Sequence, residues 1–483
     1  MLKIYNTLGR EKEEFKTLSE NQVSFYQCGP TVYWIQHIGN MRAMVLADLI
    51  RRSMEYLGYN VKFARNYTDV GHLTSDEDEG EDKMEKASKR DQLSPEQVAE
   101  KYIGIFEKDV AELNCEEPIN KPRATQYISQ MQNMVQTLLD KDYAYVTDLG
   151  IYFDISKFEN YTKLSGQNLE MNQGSAGKGE VGDSQKKNSA DFAIWFFKVG
   201  AHENALQVWP YTFVVQGQKF TGDGFPGWHL ECSAMNYAIF GPTIDIHMGG
   251  IEHVPVHHTN EIAQSEAYSG EQFVRYWIHN EHLTVDGKKM SKSEGTVYSL
   301  DDIIAKGYDP MVLRYFFMQA HYRSKQNFTW EALEGANSGL KNLRKEVIEY
   351  QTIEGYNNSV NKFSAGSKEI DSYLVYKKLF NEALEDDFNI PKAVAIFLSI
   401  FKDSGLHPDI ITQLILDFDK VLGLDLDKEE TIEIPQEVEK IAEERLLAKQ
   451  NKDFKKSDEL REEIKNLGYE IDDTPEGYTL KKI

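Results

Sequence analysis

Two short segments of this 483-residue chain bring together residue types that handle phosphates. The first is His37-Ile38-Gly39-Asn40, placed where a β-like run (Val23 to Gln27) gives way, across Gly29-Pro30, to a helical pattern. A helix start offers unpaired backbone N–H groups and a positive dipole end to an anion. Gly39 lets a flat ring or a phosphate approach the backbone, and His37 and Asn40 can donate hydrogen bonds to phosphate oxygens. The second segment, Lys289-Met290-Ser291-Lys292-Ser293, lies between Asp286-Gly287-Lys288 and Glu294-Gly295. Two lysines among hydroxyl residues and glycines suit a loop that closes over phosphates and neutralises developing charge.

A further set of residues has metal-ligand chemistry. Cys28, Cys232, His257 and Glu261 offer two thiolates, an imidazole and a carboxylate, a combination suited to Zn²⁺. His257 and Glu261 are four apart and share a helix face, whereas His258 is expected to point elsewhere. No pair has the tight C-x-x-C spacing of a zinc finger, so spacing alone does not select these four over buried thiols and a surface histidine. Cys115 is expected to be a core thiol.

The elements that must position these groups are legible from periodicity. Apolar residues at Met44, Ala47, Ile50, Met54 and Leu57 recur at helical spacing up to Gly58, and Val61 to Tyr67 is the next strand. Strand, glycine-containing turn, helix and strand form the unit that builds a parallel sheet and gathers ligands at its C-terminal edge. Strand character returns at Ile244 to Met248 and Tyr276 to Ile278. After Pro310 the chain reads helical: Met311 to Ala320, Trp330 to Tyr350, Asp371 to Leu384, Lys392 to Asp403, Pro408 to Leu422, and one amphipathic stretch from Pro435 to Leu467. Residues 75–86 are an acidic run and Gln167 to Asn188 a Gly/Ser/Asn-rich loop. The predicted class is α/β, a Rossmann-like parallel-sheet domain with an insertion, followed by an α-helical half.

Composition narrows the function. With 54 Lys and Arg against 78 Asp and Glu the net charge is −24, so bulk charge cannot hold nucleic acid and any such contact must use local basic surfaces. One such face is offered by Lys449, Lys452, Lys455, Lys456 and Arg461. Hydrophobic residues at 41% and charged residues at 27% fit a globular chain of about three domains. Three cysteines rule out a disulfide framework and fit a reducing compartment. The first residues lack the apolar core of a signal peptide, and the longest apolar stretch, Ala393 to Phe401, is too short to span a bilayer. A cytoplasmic chain without membrane contact is expected.

The paired phosphate segments make the chain resemble the class I aminoacyl-tRNA synthetases. Over essentially its full length it resembles the cysteinyl-tRNA synthetase family within that class. The resemblance is carried by Cys28-Gly-Pro-Thr-Val-Tyr-Trp-Ile-Gln-His-Ile-Gly-Asn, Asn66-Tyr-Thr-Asp69 and Gly227-Trp-His-Leu-Glu-Cys-Ser-Ala-Met235. His257 to Ser265, Lys289 to Ser293, Asp386-Asp-Phe-Asn-Ile-Pro391 and Asp473-Thr-Pro-Glu-Gly477 follow in the family's order. It implies that Cys28, Cys232, His257 and Glu261 bind one Zn²⁺ per chain, and that Gly29, Thr68 and Trp228 line the amino-acid pocket. It further implies that His37, Gly39, Asn40, Gly250, Glu252 and Lys292 bind ATP with its Mg²⁺. Glu252 replaces the usual Asp of a glycine-rich turn, and His247 before it is placed near the adenylate. His37, Asn40, Lys289 and Lys292 carry the catalysis.

Partners implied are tRNA(Cys), ATP and L-cysteine, with a monomeric enzyme. Arg314, His321, Tyr322 and Arg323 fall where the family bridges the active site and the inner bend of the tRNA. The corresponding division is 1–117 and 226–300 for the catalytic domain, 118–225 for the insertion, 301–350 for the helical junction, 351–430 for a tRNA-binding bundle and 431–483 for an anticodon-recognition region. The chain departs from the family by inserting Gly71 to Gly80 before Glu81-Asp82-Lys83, by a longer 199–225 in which Val208 to Val215 looks like an extra hairpin, and by Leu480 where Trp is common. Two alternatives share parts of this signature: a zinc-dependent ligase joining cysteine to a small amine, and a non-catalytic nucleic-acid-binding relative.

Overall fold

The computed structural model describes residues 1–71, 83–167, 183–291, 295–351, 368–426, 435–474 and 477–482. The insertion after Gly71, most of the acidic run, much of the Gly/Ser-rich loop, and Lys292 and Ser293 lie outside them. The chain divides into two compact units, Met1–Leu426 and Asp427–Ile483.

The first unit opens with a hairpin, β1 (Lys3–Asn6) and β2 (Glu11–Glu14), then β3 (Gln22–Gln27), α1 (Ile38–Tyr56), β4 (Asn60–Arg65), α2 (Lys83–Asp91) and α3 (Pro95–Glu112). An inserted region follows: α4 (Ile128–Asp140), β5 (Ala144–Val146), β6 (Gly150–Phe153), β7 (Phe192–Phe197), β8 (Trp209–Val215) and β9 (Gln218–Pro226). These five strands form an antiparallel sheet of order β5-β6-β7-β9-β8. The extra hairpin expected around Val208 to Val215 is β8–β9. The chain then returns through α5 (Trp228–Phe240), β10 (Ile244–Gly250), α6 (His257–Ser269), β11 (Val274–Asn280) and β12 (Leu283–Val285).

The central sheet is wholly parallel, in the order β11-β10-β3-β4. Burial deepens toward the C-terminal ends of β3 and β4, and β10 is buried at every residue. From β3 the chain moves through α1 to β4 on one side; from β10 it moves through α6 to β11 on the other. The direction of winding therefore reverses between β3 and β10. In open α/β sheets a crevice opens at that reversal, beyond the C-terminal strand ends.

The rest of the first unit is α7 (Leu300–Ala305), α8 (Pro310–Met318), β13 (Gln326–Phe328), α9 (Trp330–Gln351), α10 (Lys368–Glu385), α11 (Ile390–Ile400) and α12 (Pro408–Leu422). The helices match the sequence reading, but β13 interrupts it by pairing in parallel with β12. The second unit has α13 (Gln436–Gln450), α14 (Phe454–Asn466) and a hairpin of β14 (Tyr469–Thr474) and β15 (Gly477–Lys482) around Val438, Ala442, Ile464 and Ile471. The single helix expected from Pro435 to Leu467 is thus two, broken at Lys452, whose φ is 62°. Leu480 packs against this small core.

Candidate active site

The crevice between β3 and β10 is where the soft donors meet. Cys28 follows β3 directly, and its N–H donates to Met248 O of β10 at 3.0 Å, which pins it at the sheet's edge. Cys232 lies on α5, whose N-cap is Gly227; a Cβ there would collide with the Ala193 carbonyl of β7, so only glycine lets the helix start against that strand. His257, His258 and Glu261 come from α6.

One donor atom each from Cys28, His257, His258 and Glu261 falls within 4.8 Å of all the others, and all four residues are buried. Cys232 adjoins them through contacts of its thiol with Cys28 and His257. The expected four residues are therefore brought together. His258 corrects the expectation, since its Nε2 lies 3.3 Å from Cys28 Sγ. α6 is buried on every side from His257 to Ser265, so the residue beside His257 also meets the cluster. Cys115 stands apart, packed near Arg314.

Around the donors lies a second layer of imidazoles. His247 Nε2 and His257 Nε2 each lie 2.8 Å from one Glu261 oxygen. His229 Nδ1 lies 2.9 Å from His257 Nδ1, and His258 Nδ1 2.7 Å from His279 Nε2. His279 in turn meets Thr7 Oγ1 at 2.8 Å. With His253 these are six of the chain's twelve histidines. That concentration was visible in the sequence, but their convergence was not. His247 is fully buried and engaged with Glu261, so it backs the donor cluster and offers no face to a nucleotide.

The electrostatics suit a cation. Burial opposes ionisation of Glu261, but His247 and His257 hold its pKa well below the ordinary carboxylate value. Burial likewise opposes charge on His257, yet Glu261 and Cys232 carry it up to about 10. Hydrogen bonding with Cys28 pulls Cys232 down to about 7 against burial, while burial and the neighbouring Cys232 push Cys28 up. A divalent cation held by the two thiols would displace their protons. The buried Tyr26 hydroxyl lies beside them, in contact with Cys232. Two thiols, imidazole and carboxylate in one buried cluster fit a borderline-soft metal ion.

Next to this cluster, Asn66 links several groups. Its Oδ1 accepts from Gly29 N at 2.9 Å and lies 4.0 Å from Cys232 Sγ, and its Nδ2 donates to Thr68 Oγ1 at 3.3 Å. A Cβ on Gly29 would collide with the Asn66 carbonyl. Trp228 is half-buried with its ring centroid 4.5 Å from that of His257. Gly29, Thr68 and Trp228 are therefore grouped beside the donors, as expected. Asn66 was quoted in a motif but given no role.

The phosphate segments also meet. His37 caps α1: its Nδ1 accepts from Asn40 N at 3.2 Å, and Asn40 Oδ1 accepts from His37 N at 3.2 Å. A neutral imidazole accepting at Nδ1 carries its hydrogen on Nε2, and the same exchange leaves Asn40 its Nδ2 donor. A Cβ on Gly39 would collide with Met290 Cε, so the two segments touch across that glycine. Lys289 is exposed, and farther along the chain Tyr298 O accepts from Ile38 N at 2.8 Å, which ties that stretch to α1. Gly250 ends β10, with the exposed Glu252 just beyond.

Three residues expected to face tRNA do not. Arg314 is fully buried and bonds Asp48 Oδ2 at 2.7 Å, and Tyr322 is buried against Asp387. His321 donates to the Asp387 carbonyl at 2.9 Å. In the second unit Lys449 pairs with Asp473 at 2.7 Å, while Lys452, Lys455 and Lys456 are exposed.

Residues 14–338 match the family described as "tRNA synthetases class I (C) catalytic domain". A Treponema denticola protein named cysteine–tRNA ligase is 38% identical, each chain covered in full. A Burkholderia lata protein, cysteine–tRNA ligase 1, is 39% identical over 99% of this chain and 96% of its own. The fold is shared with the Mycobacterium tuberculosis methionyl-tRNA synthetase solved with methionyl-adenylate, at TM-score 0.54, 12% identity, 83% of this chain and 90% of that one. With a reversal-point crevice holding both phosphate segments, a buried thiol–imidazole–carboxylate cluster and these relatives, the chain belongs to the cysteine–tRNA ligase family of class I tRNA synthetases.

Proposed function

We propose that the chain ligates L-cysteine to tRNA(Cys) through a cysteinyl-adenylate. The cysteine carboxylate attacks the α-phosphate of ATP in line and expels pyrophosphate. A hydroxyl of the tRNA's terminal ribose then attacks the acyl carbon and releases AMP. Neither step needs a covalent enzyme intermediate, so positioning and charge stabilisation carry the catalysis. His37 Nε2–H and Asn40 Nδ2 donate to phosphate oxygens, Gly39 and Gly250 give the nucleotide access to the backbone, and Glu252 faces the ribose. Lys289 and Lys292 neutralise charge that develops on the phosphates, and Mg²⁺ accompanies ATP. Gly29, Thr68 and Trp228 surround the amino acid.

Cys28, Cys232, His257 and Glu261 would hold one zinc ion, with His258 close enough to add a fifth contact. Zinc supplies a thiophilic Lewis acid that prefers a thiolate to a hydroxyl, a selectivity that an apolar pocket limits to about 1–3 kcal/mol. The observation that carries this reading is the burial of two cysteine thiols with an imidazole and a carboxylate beside the nucleotide crevice. Among the described residues no helix is long and apolar enough to cross a membrane. A monomer working in the cytoplasm, with the domain division read from the sequence, completes the proposal.

The test combines elemental analysis with amino-acid-dependent ATP–pyrophosphate exchange. One zinc per chain and exchange with cysteine, but not serine or methionine, are expected; exchange without bound metal would overturn the zinc assignment. Cys232→Ser should lower zinc content and cysteine affinity together, and a metal-free but fully active variant would contradict the cluster's role. Charging of tRNA(Cys) but not of a glucosamine–inositol acceptor separates this enzyme from a small-amine ligase. Exchange activity itself excludes a non-catalytic relative.

A further inference from the structure

The family motif Asp386 to Pro391 has no place in the chemistry above, yet it forms a heavily bonded turn in the first unit. Between α10 and α11, Asp387 and Phe388 both take left-handed backbone angles, with φ of 61° and 52°. Two successive non-glycine residues hold that conformation only where their surroundings over-determine it. The fully buried Asp387 carboxylate accepts from Tyr5 N at 2.8 Å, Tyr322 OH at 2.6 Å and Arg323 Nε at 2.7 Å. Its carbonyl accepts from His321 Nε2. Three consecutive residues of one loop, 321–323, are therefore seated on this single turn.

The same loop is gripped from the opposite side by Arg42 of α1, five residues beyond His37. Arg42 is fully buried; it donates to the Glu281 carbonyl, to Ser324 O at 3.0 Å and to Gln326 Oε1 at 3.0 Å. Glu281 N donates to Tyr322 O at 2.9 Å. Glu281 stands just before β12 and Gln326 begins β13, and these two strands lead to the Asp286-Gly287 turn from which the Lys289–Lys292 segment departs. Gly287 N donates to Asn327 Oδ1 of β13 at 2.7 Å. A series of bonds thus runs from Asp387 through loop 321–324 to α1, which starts at the His37 cap, and to the β12–β13 turn that precedes Lys289.

We propose that Asp387 is a positioning residue for adenylate formation, fixing loop 321–324 so that Arg42 holds the His37 helix and the β12–β13 base, from which the lysine segment departs, at their working separation. The inference rests on the reading that this lysine loop acts on ATP. Asp387 touches no reacting atom, and the cysteine-selecting donors, on α5, α6 and just after β3, make no direct bond to Asp387 or to loop 321–324. Loss of its carboxylate should therefore lower turnover without changing recognition of cysteine.

The experiment is cysteine-dependent ATP–pyrophosphate exchange by the full-length, zinc-loaded chain carrying Asp387→Asn, Tyr322→Phe or Lys292→Ala. Misplacing reacting groups by a fraction of an ångström costs roughly tenfold or more in turnover, so Asp387→Asn should lower kcat by about that factor while KM for cysteine stays within about twofold. Tyr322→Phe removes one bond to the carboxylate without altering buried charge and should lower kcat in the same direction by a smaller factor. It decides the matter if Asp387→Asn does not fold. Unchanged kcat in folded variants, or a parallel rise in KM for cysteine, would overturn the positioning role. If Lys292→Ala also leaves kcat unchanged, the reading of the lysine loop fails instead.

Discussion

Asp109, on α3, shows how one side chain sets a pH dependence away from the chemistry. It is buried, and its Oδ1 has no hydrogen-bond partner. Burial first, then the Asp301 and Glu112 carboxylates, push its pKa from 3.8 up to about 7, against the pull of Lys108. An acid that holds its proton more tightly when folded contributes stability that is fully present below 3.8 and lost as pH rises through about 7. Asp109→Asn cannot lose that contribution. Its stability advantage over the parent should grow from pH 4 to pH 7 and then level, reaching on the order of 4 kcal/mol at most. Urea midpoints at pH 4, 5.5 and 8 measure it, and an advantage independent of pH would contradict the assignment. The clustered donor set was legible at this scale through residue chemistry and resemblance. His258 was not, because the argument from helix faces assumes one exposed side and α6 has none from His257 to Ser265.

At the scale of elements, glycines separate steric from functional constraint. A Cβ on Gly39 meets the flexible end of Met290, whereas a Cβ on Gly227 meets the backbone carbonyl of Ala193. Gly39→Ala should fold with an unfolding midpoint close to the parent's but lose roughly tenfold in kcat/KM for ATP, because the two phosphate segments are forced apart. Gly227→Ala should instead cost about 1–3 kcal/mol or more of stability, because a strand must move. Thermal unfolding alongside exchange kinetics distinguishes the two patterns; equal stability loss in both would contradict the contact between the segments. The parallel strands and α1 were readable because their apolar periodicity is imposed by burial. The β1–β2 hairpin was not: Glu11-Lys-Glu-Glu14 has no apolar face, and its pairing with β1 supplies the structure. The break at Lys452 was hidden because amphipathic spacing runs on through it.

For the whole molecule, the second unit has its own core and its own hairpin, so the chain's activities should separate at Leu426. A chain ending there should retain cysteine-dependent exchange within about twofold but charge tRNA(Cys) more weakly by tenfold or more, since phosphate contacts from its lysines are lost. Equal loss of both activities would show that the second unit supports the catalytic fold. The net charge of −24 predicted that tRNA is met only by local basic surfaces, and the exposed Lys452, Lys455 and Lys456 are consistent with one. The same chain-wide reading misplaced Arg314, which is spent on Asp48 inside the protein; sequence position does not reveal burial.

The placing of β3 beside β10 has a bearing on how the protein is made. Cys28 directly follows the first of these strands, while Cys232, His257 and Glu261 lie more than 200 residues later, on the helices just before and just after the second. A ribosome-bound chain that has emerged through the inserted sheet owns Cys28 alone of the clustered donors. Binding of a metal by these donors would therefore be a late event in biosynthesis, coincident with closure of this long-range strand pair, which topology makes slow. Acquisition of zinc by a stalled nascent chain would accordingly begin only after Glu261 has left the exit tunnel.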